Sequence, residues 1–193
     1  MESLIESLKR AAAALQRARI PHLLGGSIAC WARGAPLVTN DLDFMIKPED
    51  AEGAVSALVE AGFREERPPE QWLLKAWDGE VLVDLIFGPS GLLITDDVMA
   101  RGDRLSVAGM WIDVMALEDV LTTKLMALDE HGLDYEKLVQ IARSLREQVD
   151  WDEIKARTDG SPYARAYFTL LEDLGVVSPM PERETRRPRV RVT

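Results

Sequence analysis

The sequence predicts an α+β fold: a mixed sheet with flanking helices, followed by a C-terminal helical bundle. Three observations predict it. Between His22 and Ile46 the chain reads as a short buried strand (His22 to Leu24), a tight Gly25-Gly26-Ser27 turn, a short helix, and a second strand carrying Asp41 and Asp43. Two apolar runs, 71–77 and 80–87, flank Asp78-Gly79 and form the strongest hairpin signal in the chain. From Ala116 onward apolar residues recur at helical spacing.

The elements follow in order. Leu4, Ile5, Leu8, Ala11, Ala12 and Leu15 make residues 2–19 an amphipathic helix leading into the first strand. After the Asp41/Asp43 strand, Pro48 starts a helix whose stripe is Ala51, Ala54, Val55, Leu58 and Val59, and Gly62 ends it. Residues 67–70, RPPE, form a surface loop before the hairpin. Short strands are expected at Leu92–Thr95, Arg104–Val107 and Trp111–Val114, with a short helix near Asp96–Ala100. Helices then cover ALEDVLTTKLMALDEH, DYEKLVQIARSLREQ, Asp152–Thr158 and Pro162–Leu174. This divides the chain into a core at 1–115, a helical domain at 116–176 and a basic, flexible tail at 177–193.

Side chains alternate along a strand, so Asp41 and Asp43 point one way while Leu42 and Phe44 point the other. Two carboxylates held side by side repel unless a cation lies between them. Mg²⁺ is the hard cation that takes carboxylate and phosphate oxygens together. The glycine turn complements it, because Gly25 and Gly26 allow close backbone approach and the next helix offers free N–H groups to phosphate. Ser27 can cap that helix or reach a phosphate oxygen. A Gly-Gly turn alone is usually only a turn, and Asp-x-Asp alone is usually a solvated strand face. Together, in this order, they imply a nucleoside triphosphate. Asp84, between Val83 and Leu85 in the hairpin's second arm, is a carboxylate in an apolar strand and needs a partner.

Composition bounds the class. The 193 residues suffice for one core with a helical annex, and 47% hydrophobic content describes a globular protein. The charged N-terminus is no signal peptide, and no apolar run approaches a membrane span. A single cysteine, Cys30, forbids an internal disulfide and suits the cytoplasm; it reads as packing. With only His22 and His131 there is no Cys/His cluster for zinc. Net charge is −10, yet residues 182–193 hold five Arg against two Glu, which is +3 and leaves −13 on the rest. Such a tail can touch RNA phosphates or an acidic partner, or simply be a solubilising terminus. Trp31, Trp72, Trp77, Trp111 and Trp151 supply enough apolar surface for a homodimer.

The run GGSIACWARGAPLVTNDLDF resembles the polymerase-β-like nucleotidyltransferase superfamily, and within it the AbiEii/MenT-like branch of bacterial toxin–antitoxin systems. The resemblance implies the nucleotidyltransferase fold, with Asp84 as the third carboxylate, a metal ligand or the base for the attacking hydroxyl. Thr39, two residues before Asp41, matches a hydroxyl of that branch; Leu37 stands where many relatives have a basic residue. LEDVLTTKLMAL matches the branch's helix, which implies that a Lys and a later Asp complete the site. Lys124 with Asp134, or Lys137 with Asp152, are the two pairings, and the wider spacing in relatives favours the second.

The expected chemistry is transfer of NMP from an NTP to an acceptor hydroxyl, with pyrophosphate released. Asp41, Asp43 and Asp84 would hold two Mg²⁺ ions, Gly26 and Ser27 the phosphates, and a lysine would add positive charge. By resemblance the acceptor is the tRNA 3′ end, the protein is a toxin, and a cognate antitoxin is its partner. The alternatives are a small-molecule transferase of the aminoglycoside type, which the acidic body suits, and a non-catalytic antitoxin or nucleotide-sensor module.

Overall fold

The computed structural model describes residues 2–37 and 39–178. Helix α1 (Glu2–Arg17) opens it and buries Leu4, Leu8, Ala11, Ala12 and Leu15, with Glu2 and Arg17 placed to suit the helix dipole. Strand β1 (His22–Leu24) leads through the glycine turn to α2 (Gly26–Trp31) and then to β2 (Leu42–Ile46). A 3₁₀ turn from Pro48 to Asp50 enters α3 (Ala51–Glu60). Strands β3 (Arg64–Glu66), β4 (Leu73–Asp78) and β5 (Val81–Ile86) follow, then α4 (Asp96–Ala100), β6 (Asp103–Val107) and β7 (Met110–Val114). Four helices finish the described chain: α5 (Leu117–Met126), α6 (Tyr135–Leu145), α7 (Trp151–Thr158) and α8 (Pro162–Asp173).

The seven strands form one mixed sheet in the order β3-β4-β5-β2-β1-β7-β6. Strand β2 is therefore central, antiparallel to β1 and parallel to β5. One face of the sheet carries Leu42, Phe44, Ile46, Val83, Leu85 and Ala76, all buried, and packs under α1 and α3. Asp78, on that face, accepts hydrogen bonds from Ser7 and Arg10 of α1. Each fully buried Leu or Phe contributes roughly 1.5–3 kcal/mol. The opposite face carries Asp43, Asp84 and Lys75, with α2 against β2 and α5 against α2.

A buried ion cluster ties the helical half to the rest. Asp119 of α5 is fully buried and accepts from Arg101 Nη2 at 2.9 Å, at the end of α4, and from Arg157 Nη2 of α7 at 2.6 Å. Among the described residues no helix is long and apolar enough to cross a membrane.

Three local expectations are revised, and one strand is added. The segment Leu92–Thr95 is irregular rather than a strand: its Ile94 N–H donates to the carbonyl of Phe87, just past the end of β5, at 3.4 Å. Strand β3 had no sequence signal, because Arg64-Glu65-Glu66 lacks apolar alternation; its pairing with β4 makes it a strand. The hairpin turn is Gly79-Glu80, one residue later than Asp78-Gly79, since Asp78 pairs with Val81. Ser27 is not the cap of α2; Gly25 holds that position, without a side-chain hydrogen bond. The Arg-rich part of the tail lies outside the described residues.

Candidate active site

The site is built on the central strand. Asp43 of β2 stands in register with Asp84 of β5, and because these are adjacent parallel strands the two carboxylates leave the sheet on one face. Asp41 precedes β2 and is exposed; its N–H donates to Thr39 Oγ1 at 3.2 Å, which fixes the approach to the strand. Two of the three expected carboxylates are thus side by side, and the third stands at the strand's mouth.

The glycine turn lies directly on Asp43. Gly25 N–H donates to the Asp43 carbonyl at 2.8 Å, stitching the turn to the strand. Gly26 has φ +56°, and a Cβ there would fall 1.6 Å from Asp43 Oδ2. Both the backbone angle and the contact demand glycine at this position. Behind the turn, Lys124 in the last turn of α5 donates from Nζ to Ser27 Oγ at 3.0 Å. This contact joins the helical half to the turn and puts a compact positive charge beside it.

The sequence reading favours Lys137 and Asp152; the lysine that the structure brings to the glycine turn is Lys124. The reason is packing. Helix α5 lies against α2, so its last turn reaches Ser27. Lys137 sits at the start of α6 and pairs with Asp134, Nζ to Oδ2 at 2.8 Å, while Asp134 also accepts from the Lys137 N–H. Asp134 is thus the cap of α6. Asp152 is an exposed residue in the first turn of α7, whose cap is Asp150.

One residue the sequence analysis missed is Lys75 of β4. It faces Asp84 across the hairpin, with Nζ 3.9 Å from Oδ1. Equal steps from Asp78 and Val81 reach Lys75 and Asp84, but the turn expected at Asp78-Gly79 would have set Leu73 opposite Asp84, so the one-residue shift of the turn hid this pairing.

The electrostatics are those of a strained anionic site. Burial, then the Asp43 charge, push Asp84 up to about 6, with Lys75 opposing. Burial also raises Asp43; Lys124 opposes that rise and Asp41 adds to it. Asp84 Oδ1 is shielded from solvent and has no hydrogen-bond partner. An unsatisfied carboxylate oxygen beside a second carboxylate is what a divalent cation relieves, so the donor set fits Mg²⁺. Among the described residues no three His, Cys, Asp or Glu side chains converge on one point as they stand. Cys30 is fully buried and pushed up to about 11 by burial, consistent with packing rather than nucleophilic use.

Known structures share this architecture. The antibiotic-resistance factor ANT(2″)-Ia superposes in its solution structure with TM-score 0.63 at 18% identity, covering 87% of this chain and 94% of that one. Its crystal structure in complex with adenylyl-2″-tobramycin gives 0.62 at 12% identity, covering 85% and 98%. An antigenic nucleotidyltransferase-like protein from Paracoccidioides brasiliensis gives 0.50 at 14%, covering 90% and 89%. At these identities the likeness is one of fold. No curated protein matches the sequence. Residues 2–172 match the family described as "Uncharacterised nucleotidyltransferase", and the chain, folded and equipped as above, belongs to that family.

Proposed function

We propose that this protein transfers NMP from an NTP to a hydroxyl of a small cationic acceptor, with Mg²⁺ as cofactor. The observation that carries transfer is the in-register Asp43–Asp84 pair under the Gly25-Gly26 turn, with Lys124 on Ser27. Asp43 and Asp84, with Asp41 beside them, would hold the metal, which when bound supplies charge neutralisation at the phosphates. Gly26 and Ser27 bind the phosphate chain, Lys124 offsets charge on the departing pyrophosphate, and Thr39 steadies the backbone of Asp41. Asp84 takes the acceptor hydroxyl's proton as that oxygen bonds to the α-phosphorus. The bond from that phosphorus to the pyrophosphate oxygen breaks, and pyrophosphate leaves.

The acceptor class is argued from charge. Outside the basic tail the chain carries −13, which attracts a polyamine-like molecule and repels RNA. The fold likeness to a tobramycin-adenylylating structure over 85% of this chain supports the same class. A second reading has one observation in its favour: the +3 of residues 182–193 suits tRNA phosphates, with the 3′ end as acceptor and a toxin role neutralised by an antitoxin, as in the AbiEii/MenT-like branch.

One assay separates them. Purified protein, Mg²⁺ and each α-labelled NTP are incubated with an aminoglycoside panel and with total tRNA. Label on an aminoglycoside, lost in Asp43→Asn, supports the first reading; label on tRNA with growth arrest on expression supports the second. Identical signals from wild type and Asp43→Asn on every acceptor would reject both.

A further inference from the structure

Four charged residues lie in one line across four adjacent strands. Glu66 of β3 faces Lys75 of β4, Lys75 faces Asp84 of β5, and Asp84 faces Asp43 of β2. In-register neighbours share a face and stand about 4.8 Å apart between strands. Gly26 closes the row over Asp43, so the phosphate cradle is at one end and Lys75 lies on the far side of Asp84. Glu66 is held in place by Trp77, whose Nε1 donates to its Oε2 at 2.7 Å. Lys75 therefore has a carboxylate on either side, and its own side chain is 26% exposed.

The contact to Asp84 has a particular character. At 3.9 Å the Lys75 ammonium attracts Oδ1 but does not hydrogen-bond it. That oxygen is shielded from solvent with no other hydrogen bond. Its charge is offset while its lone pairs stay available. Lys124, by contrast, hydrogen-bonds Ser27 at the phosphate end.

We propose that Lys75 is the built-in counter-ion of the carboxylate pair: it holds Asp84 beside Asp43 before a divalent ion arrives, and then competes with that ion. The inference rests on reading Asp43 and Asp84 as metal ligands. It assigns the two lysines separate tasks, Lys75 setting the divalent-ion concentration at which the site fills and Lys124 serving the triphosphate. Removing a unit charge beside a divalent site strengthens ion binding, most at low salt.

The test is a titration of wild type, Lys75→Met and Lys75→Arg with Mn²⁺ alone, free ion being read by electron paramagnetic resonance. Lys75→Met should bind Mn²⁺ roughly three- to tenfold tighter at low ionic strength, and Lys75→Arg should match wild type. At saturating metal the KM for NTP should rise further in Lys124→Met than in Lys75→Met. Wild-type Mn²⁺ affinity in Lys75→Met overturns the counter-ion role and leaves the metal reading standing. Absence of Mn²⁺ binding to wild type overturns both. Lys75→Gln makes the same charge deletion if the Met variant does not fold, and circular dichroism verifies the fold.

Discussion

Two sets of buried or half-buried carboxylates in this molecule are treated in opposite ways. Asp119, in the helical half, is fully buried and receives two arginines, Arg101 and Arg157, from two other segments. Asp43 and Asp84, in the sheet half, face each other, and a shielded Asp84 oxygen is left without a hydrogen bond. The first arrangement satisfies charge inside the fold and ties helices together. The second withholds that satisfaction, as the proposed divalent-ion site requires. Burial of a carboxylate is therefore no guide to its role here; whether its oxygens are hydrogen-bonded is.

Four outcomes would sharpen or break this contrast. The largest concerns Asp43. Asp43→Asn should lower NMP transfer roughly a thousandfold with the metal-free fold no less stable, because a repulsion is removed; a variant that unfolds would place Asp43 with Asp119 as a structural group. Next, Asp119→Ala should destabilise the protein by about 3 kcal/mol, measured by denaturant midpoint, since two arginines lose their shared partner. Retained stability would show that water compensates those arginines as well as Asp119 does.

Third comes the lysine pair. Lys124→Met should raise the KM for NTP about tenfold, whereas Lys137→Met, on an exposed pair with Asp134, should change it less than twofold. Steady-state kinetics in NTP decide it, and the reverse order would return the site to the spacing argument. The smallest effect is on pH. Asp84 ionises at about 6 in the folded protein, above the value of about 4 for a free carboxyl. The folded state therefore binds this proton more tightly than the unfolded chain does. Its stabilisation is complete below about pH 4 and is lost as pH rises through 6. Melting of metal-free wild type against Asp84→Asn should diverge across that window, and Mg²⁺ should suppress the difference. Parallel curves would mean that Asp84 titrates normally.

Much of the architecture was legible because local rules held. The α1 stripe, the Pro48 start, the hairpin and the helices after Ala116 all follow from periodicity and turn chemistry, and each has its counterpart in the structure. Strand β3 was illegible, because an edge strand with Arg64, Glu65 and Glu66 is made by its neighbour's hydrogen bonds. Leu92–Thr95 misled for the converse reason: its residues suit a strand, but a strand needs a ladder. At the site, Asp43, Gly26 and Ser27 could be named from a contiguous motif. Lys75 could not, because a turn read at Asp78-Gly79 sets Leu73 rather than Lys75 opposite Asp84, and only the shift to Gly79-Glu80 brings Lys75 there. Lys124 could not be chosen over Lys137, since spacing along the chain does not say which helix packs on α2.

The sequence by itself determined the strand–turn–helix–strand unit, because side-chain alternation and glycine's backbone freedom act over a few residues. It also determined the acidic character of the body, which is a matter of counting. Only the tertiary structure decided that Asp84 stands beside Asp43, that Gly26 rests on that carboxylate, and that Lys124 and Lys75 flank the pair. Those positions depend on which strands and helices lie side by side, and that is set by burial of the whole apolar surface rather than by any single segment.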